Sequence, residues 1–303
     1  MAAPLMLLDS ASLYFRGFYG APASITAPDG TPVNAVRGFL DIIAKLVTTY
    51  RPGPVVACWD DAWRPRWRVD LIESYKAHRV ARTLADGTWA EDVPPELTVQ
   101  VPIIREVLEA IGMPPVGAVD SEADDVIGTL AARATGPVDV VTGDRDLFQV
   151  VDDARGVRVV YTARGMSRLE VVTDEVVQSK YGVHAAQYVD FAVLRGDPSD
   201  GLPGVAGIGE KTAAGLLSAH GDLAGIRAAA DAGQGLTPRA RASVVAAADY
   251  LDVAPAVVRV ADDADVPPAP TEPPTPDADA AAALAARWGL GSSMDRVLAA
   301  LAG

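Results

Sequence analysis

Cysteine and histidine are scarce in this chain of 303 residues, which contains one Cys and three His. Cys58 has no second thiol to pair with in the chain, so a disulfide-stapled secreted domain is excluded and a reducing compartment is favoured. The same scarcity makes a zinc site improbable. The first residues lack a charged, apolar leader, and no run is long enough to span a bilayer. We therefore expect a cytoplasmic protein that does not enter a membrane.

Positive charge is also in short supply. Lys and Arg number 26 against 40 Asp and Glu, a formal net charge of −14, which argues against a protein that coats nucleic acid through bulk charge. Residues 64–82 reverse this balance and form a candidate surface for nucleic acid. Their basic residues are Arg64, Arg66, Arg68, Lys76, Arg79 and Arg82.

Apolar patterning predicts strands that alternate with helices. Strands are expected at 5–8, 55–59, 138–142 and 155–161, and helices at 10–19, 34–50, 97–111 and 121–134. This alternation indicates an α/β fold with a mostly parallel sheet. Beyond residue 179 the chain turns to short helices around Gly- and Pro-rich turns, and a Pro-rich connector at 267–276 precedes a last helical segment. We divide the chain into an α/β core at 1–193, a small helical subdomain at 194–260, and the connector with its C-terminal segment at 261–303.

Nine carboxylates occur in five short clusters. Asp9, Asp60 and Asp144 each follow a predicted strand, so they are expected to meet at the carboxyl edge of the sheet. Like charges brought together raise one another's pKa unless a cation offsets them. Carboxylate and water oxygens suit Mg²⁺ or Mn²⁺, and two such ions can clamp a phosphate diester. The candidate metal ligands are Asp9, Asp60, Glu122, Asp124, Asp125, Asp144, Asp146, Asp197 and Asp200.

Two of these clusters have a simpler explanation when taken alone. The acids of SEADDVIG could stabilise a helix N-terminus through its dipole, with Ser121 as the cap and Asp124 as its capping-box partner. Asp144 and Asp146 could form an Asx turn with a salt bridge to Arg145. The helix dipole explains one or two acids better than three, so metal binding is preferred once all five clusters are considered.

Two motifs indicate contact with a phosphate backbone. The Gly-rich turn with Gly204, Gly207 and Gly209, followed by Lys211 and Thr212, presents backbone N–H groups and a helix N-terminus. Its spacing does not match a nucleotide-binding loop, and a helix–hairpin–helix that grips DNA fits better.

The second motif, YKAHR, places an aromatic ring and two cations within one helical turn. Tyr75 can stack on a base, Lys76 can reach a phosphate and Arg79 can hold it with two hydrogen bonds. A solvated basic helix face is the alternative. Arg16 could similarly reach a phosphate beside Asp9, or pair with that carboxylate.

Together the motifs resemble the 5′-nuclease family, which includes flap endonucleases and the N-terminal 5′→3′ exonuclease domain of bacterial DNA polymerase I. The resemblance extends through the chain in order, from LLDSASLYFRGFYG through CWDD, YKAHR, EADDVIGTLA, TGDRDL and GDPSDGLPGVAGIGEKTA to RWGLGSSMDRVLAAL. The chain contains no polymerase-like region, so we expect a stand-alone relative of that domain.

The resemblance implies a PIN-like central sheet with helices on both faces, a helical arch at about 63–98 and a helix–hairpin–helix (H3TH) subdomain. It implies that the nine acids hold two or more Mg²⁺ or Mn²⁺ ions, that Lys76 and Arg79 contact the scissile phosphate, and that Tyr75 stacks on the terminal base. The turn at 204–212 would hold duplex DNA with a bound K⁺. The expected activity is metal-dependent hydrolysis of DNA from 5′ ends and at 5′ flaps, in replication and repair, by a monomer.

Two departures from the family pattern stay open. Asp60 and Asp61 both follow the second strand, where the family has one Asp. Asp60 is preferred because it directly follows Trp59, although the spacing to Arg68 suits Asp61. Residues 81–95 lack the expected Pro-rich stretch and predict a differently shaped or mobile arch.

Two other functions compete with a DNA nuclease. Related ribonucleases usually lack the helix–hairpin–helix, so the Gly-rich turn argues against one. A non-catalytic DNA-binding relative would be expected to have lost several of the nine acids. Whether the protein is a DNA nuclease or a non-catalytic DNA-binding relative, neutralising Arg64, Arg66 and Arg68 should weaken DNA binding and reduce its salt dependence.

Overall fold

The structure, a computed structural model, describes residues 3–303. A five-stranded sheet with the order β2-β1-β5-β6-β7 forms its centre, and β3 pairs with β4 apart from it. The first four strands of that order run parallel and β7 is antiparallel, so the predicted mostly parallel sheet is confirmed. The strands are β1 (Leu5–Asp9), β2 (Val55–Cys58), β3 (Val80–Thr83), β4 (Trp89–Glu91), β5 (Val138–Thr142), β6 (Val157–Tyr161) and β7 (Glu170–Val172).

Helices make up most of the remaining structure. Among residues 3–303, none of them is long and apolar enough to cross a membrane. The α-helices are α1 (Ser10–Gly20), α2 (Asn34–Tyr50), α3 (Arg66–Leu71), α4 (Pro95–Thr98), α5 (Val101–Ala110), α6 (Ala123–Arg133), α7 (Asp174–Tyr181), α8 (Tyr188–Arg195), α9 (Glu210–His220), α10 (Leu223–Ala232), α11 (Pro238–Ala246), α12 (Ala248–Val258), α13 (Ala278–Trp288) and α14 (Gly291–Leu301).

The sheet separates two apolar cores because successive side chains of a strand point to opposite faces. On one face, Leu7 packs in a cluster with residues of α6, α8, α9 and α12. On the other face, Met6 and Leu8 pack with residues of α1, α2, α5 and α14. Helices therefore cover both faces, as predicted. Helices α8 to α12 share the first core with the sheet, whereas α14 packs in the second.

The parallel strands end at one edge, and this places the functional residues. Asp9 is the last residue of β1, and Asp60 and Asp144 lie two residues after the ends of β2 and β5. Ligands of α/β sheets bind outside this edge. Three acids that are far apart in sequence are thus brought to the same place by strand direction alone.

The segment 63–98 contains less helix than the predicted helical arch. It consists of α3, a 3-10 turn at Ala77–Arg79, the hairpin of β3 and β4, and α4. Asp86 Oδ1 accepts the N–H of Thr88 at 2.9 Å, and Gly87 has φ +83°. An Asp-Gly pair with this geometry closes a tight hairpin. The arch expected from the resemblance is therefore a short helix and a hairpin in this chain, which agrees with the expectation of a different shape.

Prolines and caps explain where the predicted helices differ from the observed ones. The helix predicted at 97–111 is two helices, α4 and α5, and each has Pro in its first turn, where proline is tolerated. The start of α7 was not predicted, although Thr173 caps it through a bond from the N–H of Val176. Strand β7 was also missed because three residues give too short a pattern.

Candidate active site

A cavity of about 570 Å³ opens at the carboxyl edge of the sheet. A smaller cavity of about 20 Å³ adjoins it, and the two share Glu122 and Asp124 in their walls. Eight of the nine predicted acids line one cavity or both, and Asp125 lines neither. The larger cavity has Asp9, Asp60, Glu122, Asp124, Asp144 and Asp197; the smaller has Glu122, Asp124, Asp146 and Asp200.

Local hydrogen bonds orient the acids at the strand ends. Asp9 caps α1 by accepting the N–H of Ser12 at 3.1 Å, and it also accepts the hydroxyl of Thr142 at 2.6 Å. Asp60 Oδ1 accepts the N–H of Ala123 at 2.8 Å, where the positive end of the α6 dipole favours an anion. Asp61 is exposed at the rim of the larger cavity. The structure therefore places Asp60, the preferred candidate, with the other acids.

Burial and mutual repulsion disfavour the charged forms of these acids. Burial, with the charge of Asp60 added, raises the pKa of Asp9 to about 7. Burial is also the main cause that raises the pKa of Asp124 and Asp146 well above the usual range, and that raises the pKa of Asp60 and Asp200. In addition, Asp146 Oδ1 is buried without a hydrogen-bond partner. Buried acids whose charged forms are disfavoured in this way fit a bound cation.

The acids surround the cavities rather than converge on one point. Within residues 3–303, no three Asp, Glu, His or Cys side chains are grouped closely enough to hold one ion. One reason that the acids do not converge is that Glu122 already binds basic and hydroxyl groups. Its Oε1 accepts from the Tyr75 hydroxyl at 2.6 Å and from Arg68 at 3.0 Å, and its Oε2 pairs with the Lys76 ammonium. A cation at Oε2 would have to displace Lys76.

Asp125 has a different environment from its neighbours in the sequence. Both of its oxygens accept from the Arg68 guanidinium, at 2.7 and 2.8 Å, and they also accept the N–H groups of Ala261 and Glu122. Although burial opposes it, the bonds to Arg68 lower the pKa of Asp125. The structure thus does not place Asp125 among the candidate metal ligands.

The N-terminus of α6 also differs from the predicted capping. Glu122, not Ser121, is the residue that precedes the helix, and Asp125, not Asp124, accepts its N–H. The Ser121 hydroxyl instead donates to the carbonyl of Val119 at 3.2 Å. Asp124 is consequently left facing the cavities.

Lys76 and Arg79 both border the larger cavity, as their predicted role requires. The motif is not one α-helical turn, because Lys76 has φ +47° and a 3-10 turn follows it. This unusual backbone lets the Lys76 N–H donate to the carbonyl of Asp200 at 2.9 Å. Arg79 donates to the carbonyl of Ser199 at 2.7 Å and pairs with Asp200 at 3.1 Å. The base of the arch is therefore docked on the loop after α8.

Three predicted DNA-binding residues lie inside the protein. Tyr75 is 4% exposed and its hydroxyl is bound to Glu122, so its ring is not a free platform for a base. Arg64 donates to the carbonyls of Tyr75 and Glu73, and Arg68 is paired with buried carboxylates. Of the three predicted arginines at 64, 66 and 68, only Arg66 extends into solvent, with 60% of its side chain exposed. Arg64 and Arg68 therefore bind groups within the protein and are not free to contact DNA.

The predicted helix–hairpin–helix consists of α8, the Gly-rich turn and α9. Gly204 and Gly207 have φ +67° and +78°, which favours glycine at both positions. Gly209 precedes α9 and provides no side-chain cap, and Lys211 and Thr212 are exposed in the first turn. The first N–H groups of α9 are consequently suited to an anion.

Two further polar residues, Arg16 and Thr142, lie beside the edge of the sheet. Arg16 Nε is buried without a hydrogen-bond partner, and the guanidinium lies beside Gly143 of the larger cavity wall. Thr142, which sequence reasoning missed, donates to Asp9 and accepts the N–H of Asp144 at 2.9 Å. Its position at the end of a buried strand, directly before Gly143, was the only signal in the sequence.

An acidic cleft beside basic residues and a helix–hairpin–helix defines the class of protein, an α/β phosphodiesterase acting on nucleic acid. Two family models agree with this class. One, described as 5′-3′ exonuclease, N-terminal resolvase-like domain, matches residues 4–182, and the other, 5′-3′ exonuclease, C-terminal SAM fold, matches residues 183–280. The chain belongs to the 5′-3′ exonuclease family.

Relatives by sequence support the same assignment. A 5′-3′ exonuclease of Streptomyces coelicolor is 60% identical over 98% of this chain and 99% of its own length. A 5′-3′ exonuclease of Mycobacterium tuberculosis is 50% identical over 99% of this chain and 98% of its own length. DNA polymerase I of Mycobacterium bovis is 42% identical over 72% of this chain but only 23% of its own length. The predicted family and the predicted enzyme class, a nuclease, are confirmed.

A solved structure confirms the fold. The flap endonuclease of bacteriophage T5, in a pseudo-enzyme-product complex with DNA and metal ions, superposes with a TM-score of 0.67 over 99% of this chain and 100% of that chain. The two sequences are 16% identical. The α/β core with its helical subdomain is thus an arrangement that such dissimilar sequences share.

Proposed function

We propose that this protein is a structure-specific 5′ nuclease that hydrolyses DNA from 5′ ends and at 5′ flaps, for replication and repair, with two or more Mg²⁺ or Mn²⁺ ions. The observation that carries the proposal is the set of eight acids around two adjoining cavities, five of which have a raised pKa. The relatives named 5′-3′ exonuclease and the T5 enzyme solved with DNA and metal ions support the substrate and the cofactor.

The eight acids would divide between the ions. Those of the larger cavity would hold one ion, and Asp146 and Asp200 would contribute to a second beside the shared Glu122 and Asp124. A bound divalent ion lowers the pKa of water and stabilises charge on a leaving oxygen. The protein supplies hard oxygen ligands, and its buried setting strengthens their interaction with a cation.

Lys76 and Arg79 would act on the phosphate itself. Both border the larger cavity, and each already lies beside a carboxylate that a cation would attract. A cation that takes over Glu122 and Asp200 would release these two side chains toward the phosphoryl oxygens. Positive groups placed where charge develops stabilise the transition state.

The helix–hairpin–helix would bind the duplex next to the cleft. Backbone N–H groups at the start of α9, with Lys211 and Thr212, would contact phosphates and read no sequence. Arg16 and Arg66 would add contacts beside the cleft and at the arch. A K⁺ ion at the Gly-rich turn, a monomeric state and a cytoplasmic location belong to the same proposal.

The test is cleavage of a 5′-labelled flap duplex by the full chain with Mg²⁺, Mn²⁺ or EDTA. Asp124→Asn removes a charge that both cavities share, and Asp263→Asn removes an exposed one outside them. We expect metal-dependent cutting near the flap junction that is lost in Asp124→Asn and kept in Asp263→Asn. Tight flap binding without cutting would identify a non-catalytic binding protein, and preferred cutting of an RNA flap would identify a ribonuclease.

A further inference from the structure

Arg68 joins three segments that are far apart in the sequence. It lies in α3 and donates to Asp125 of α6 at 2.7 and 2.8 Å, to Glu122 Oε1 at 3.0 Å, and to the carbonyl of Val257 in α12 at 3.0 Å. Arg68 and Asp125 are 2% and 1% exposed. A guanidinium buried so deeply, with partners on every side, cannot leave its place without breaking all of these bonds.

Asp125 anchors this guanidinium and has no free oxygen for a metal ion. A carboxylate offers about four acceptor sites, and Asp125 receives two N–H groups from Arg68 and one each from Ala261 and Glu122. The adjacent Asp124 lines both cavities instead. Neighbouring acids on one helix thus have separate tasks: Asp124 faces the cleft and Asp125 faces the arginine.

The consequence is a fixed orientation for Glu122. Its Oε1 is held from two sides, by Arg68 at 3.0 Å and by the Tyr75 hydroxyl at 2.6 Å. Rotation of the carboxylate would break both bonds. Its Oε2 pairs with the Lys76 ammonium, and it is the oxygen left for a cation to take.

We propose that Arg68, Asp125 and Tyr75 are positioning residues that orient Glu122 for metal binding, with Asp125 acting through Arg68 and not as a ligand. This inference rests on the proposed function, because it needs the cleft to bind divalent cations. It gives Tyr75 a hydrogen-bonding task in place of base stacking. Removing groups that orient a metal ligand typically costs about 10–100-fold in metal affinity.

The test is Mn²⁺ binding to the full chain without DNA, measured by electron paramagnetic resonance of the free ion. We expect Arg68→Met to weaken Mn²⁺ binding about 10–100-fold and Tyr75→Phe to weaken it in the same direction. Arg158→Met is the matched control, because Arg158 pairs with the buried Asp139 on the sheet, in neither cavity wall. It should bind Mn²⁺ as the wild type does.

Stoichiometry separates Asp125 from the ligands. Asp125→Asn should keep the number of Mn²⁺ ions bound at saturation, whereas Asp124→Asn should lower it. Excess Mn²⁺ should restore kcat in Arg68→Lys, which keeps the charge, but not in Asp124→Asn. A purely structural role for Arg68 would not respond to the metal concentration.

Each result decides between the hypotheses. If the wild type binds no Mn²⁺, the proposed function fails. If the wild type binds Mn²⁺ and a folded Arg68→Met binds it equally well, or if Asp125→Asn loses an ion, the positioning role is overturned. Should Arg68→Met not fold, as judged by near-UV circular dichroism, Tyr75→Phe and Asp125→Asn decide the question by the same two measurements.

Discussion

Asp9 has three structural roles. The residue ends β1, and its carboxyl group caps α1 through the N–H of Ser12 and lines the larger cavity. The same group is buried, and burial with the charge of Asp60 raises its pKa to about 7. Without a cation, Asp9 therefore keeps its proton up to near-neutral pH.

The raised pKa values of the cleft acids predict how stability depends on pH. In the unfolded chain these acids lose their protons near pH 4, but Asp9 in the folded protein keeps its proton to about pH 7. The folded state therefore binds more protons between these values, and the free energy of unfolding falls as pH rises. Folding also raises the pKa of Asp60, Asp124, Asp146 and Asp200, which adds to this trend. It lowers the pKa of Asp125, which acts against the trend.

We expect the melting temperature of the metal-free protein to fall between about pH 5 and about pH 8. Added Mg²⁺ should raise the melting temperature more at the higher pH, where a cation replaces protons. Scanning calorimetry with EDTA or Mg²⁺ measures both effects. Asp9→Asn should flatten the slope of the metal-free protein, and a melting temperature that rises over this pH range would contradict the explanation.

The base of the arch and the loop after α8 fit closely together. The Ser74 hydroxyl donates to the carbonyl of Gly201 at 2.7 Å, and the Lys76 N–H donates to that of Asp200 at 2.9 Å. Gly201 has φ +71°, and a Cβ there would overlap the carbonyl oxygen of Ser74. This contact joins the arch, which carries Lys76, to the loop that carries Asp200.

Gly201→Ala should therefore separate the arch from this loop. We expect a loss of about 1–3 kcal/mol in the free energy of unfolding, from backbone strain and the lost contact, measured by urea unfolding. Gly209→Ala is the matched control, because Gly209 has negative φ and open space around its Cα. Equal effects of the two substitutions would show that the contact contributes nothing.

At the scale of the whole molecule, the C-terminal segment packs against helices of the α/β core. After α12 the chain follows α6, where the Ala264 N–H donates to Thr129 Oγ1 at 3.0 Å, and it reaches α5, where the Asp277 N–H donates to the carbonyl of Ala110 at 2.8 Å. Helix α14 then packs on α2, with Met294 in the second core and Arg296 paired to Asp41 at 2.7 Å. Hydrogen bonds therefore hold the chain on both sides of the Pro-rich connector at 267–276.

Shortening Met294 should destabilise the whole domain. We expect Met294→Ala to cost about 2–5 kcal/mol, because the side chain is buried between α14 and α2 and leaves a cavity. Val245→Ala, at an exposed position of α11, should change stability by less than about 0.5 kcal/mol. Denaturant unfolding checks both. A small effect of Met294→Ala would mean that the C-terminal helix is only loosely attached.

The overall charge of −14 confines DNA binding to local basic sites. Lys211→Ala should weaken flap binding and lower the slope of log K against log salt by about 1, because one phosphate contact is lost. Lys45→Ala, at an exposed position of α2, should leave the slope unchanged. Fluorescence anisotropy across a salt series measures both slopes. An unchanged slope for Lys211→Ala would remove the start of α9 from the interface.

Features that depend on neighbouring residues were accessible from the sequence. Helix α2 was predicted at 34–50 and found at Asn34–Tyr50, and β5 was predicted and found at 138–142. Apolar periodicity and capping or breaking residues are local, so a single chain reveals them. The meeting of Asp9, Asp60 and Asp144 also followed, because parallel strands end at one edge of a sheet.

The sequence by itself determined that Asp9, Asp60 and Asp144 meet at the sheet edge and which segment carries positive charge. Only the tertiary structure decided which oxygens are free. Asp124 and Asp125 are adjacent, but about 100° of helical rotation separates their side chains, so one faces the cleft and the other faces Arg68. Arg68 and Arg66 are equally basic in the sequence, yet only Arg66 meets solvent. The packing of α3 against α6 and α12 set that difference, and no local pattern records such a long-range contact.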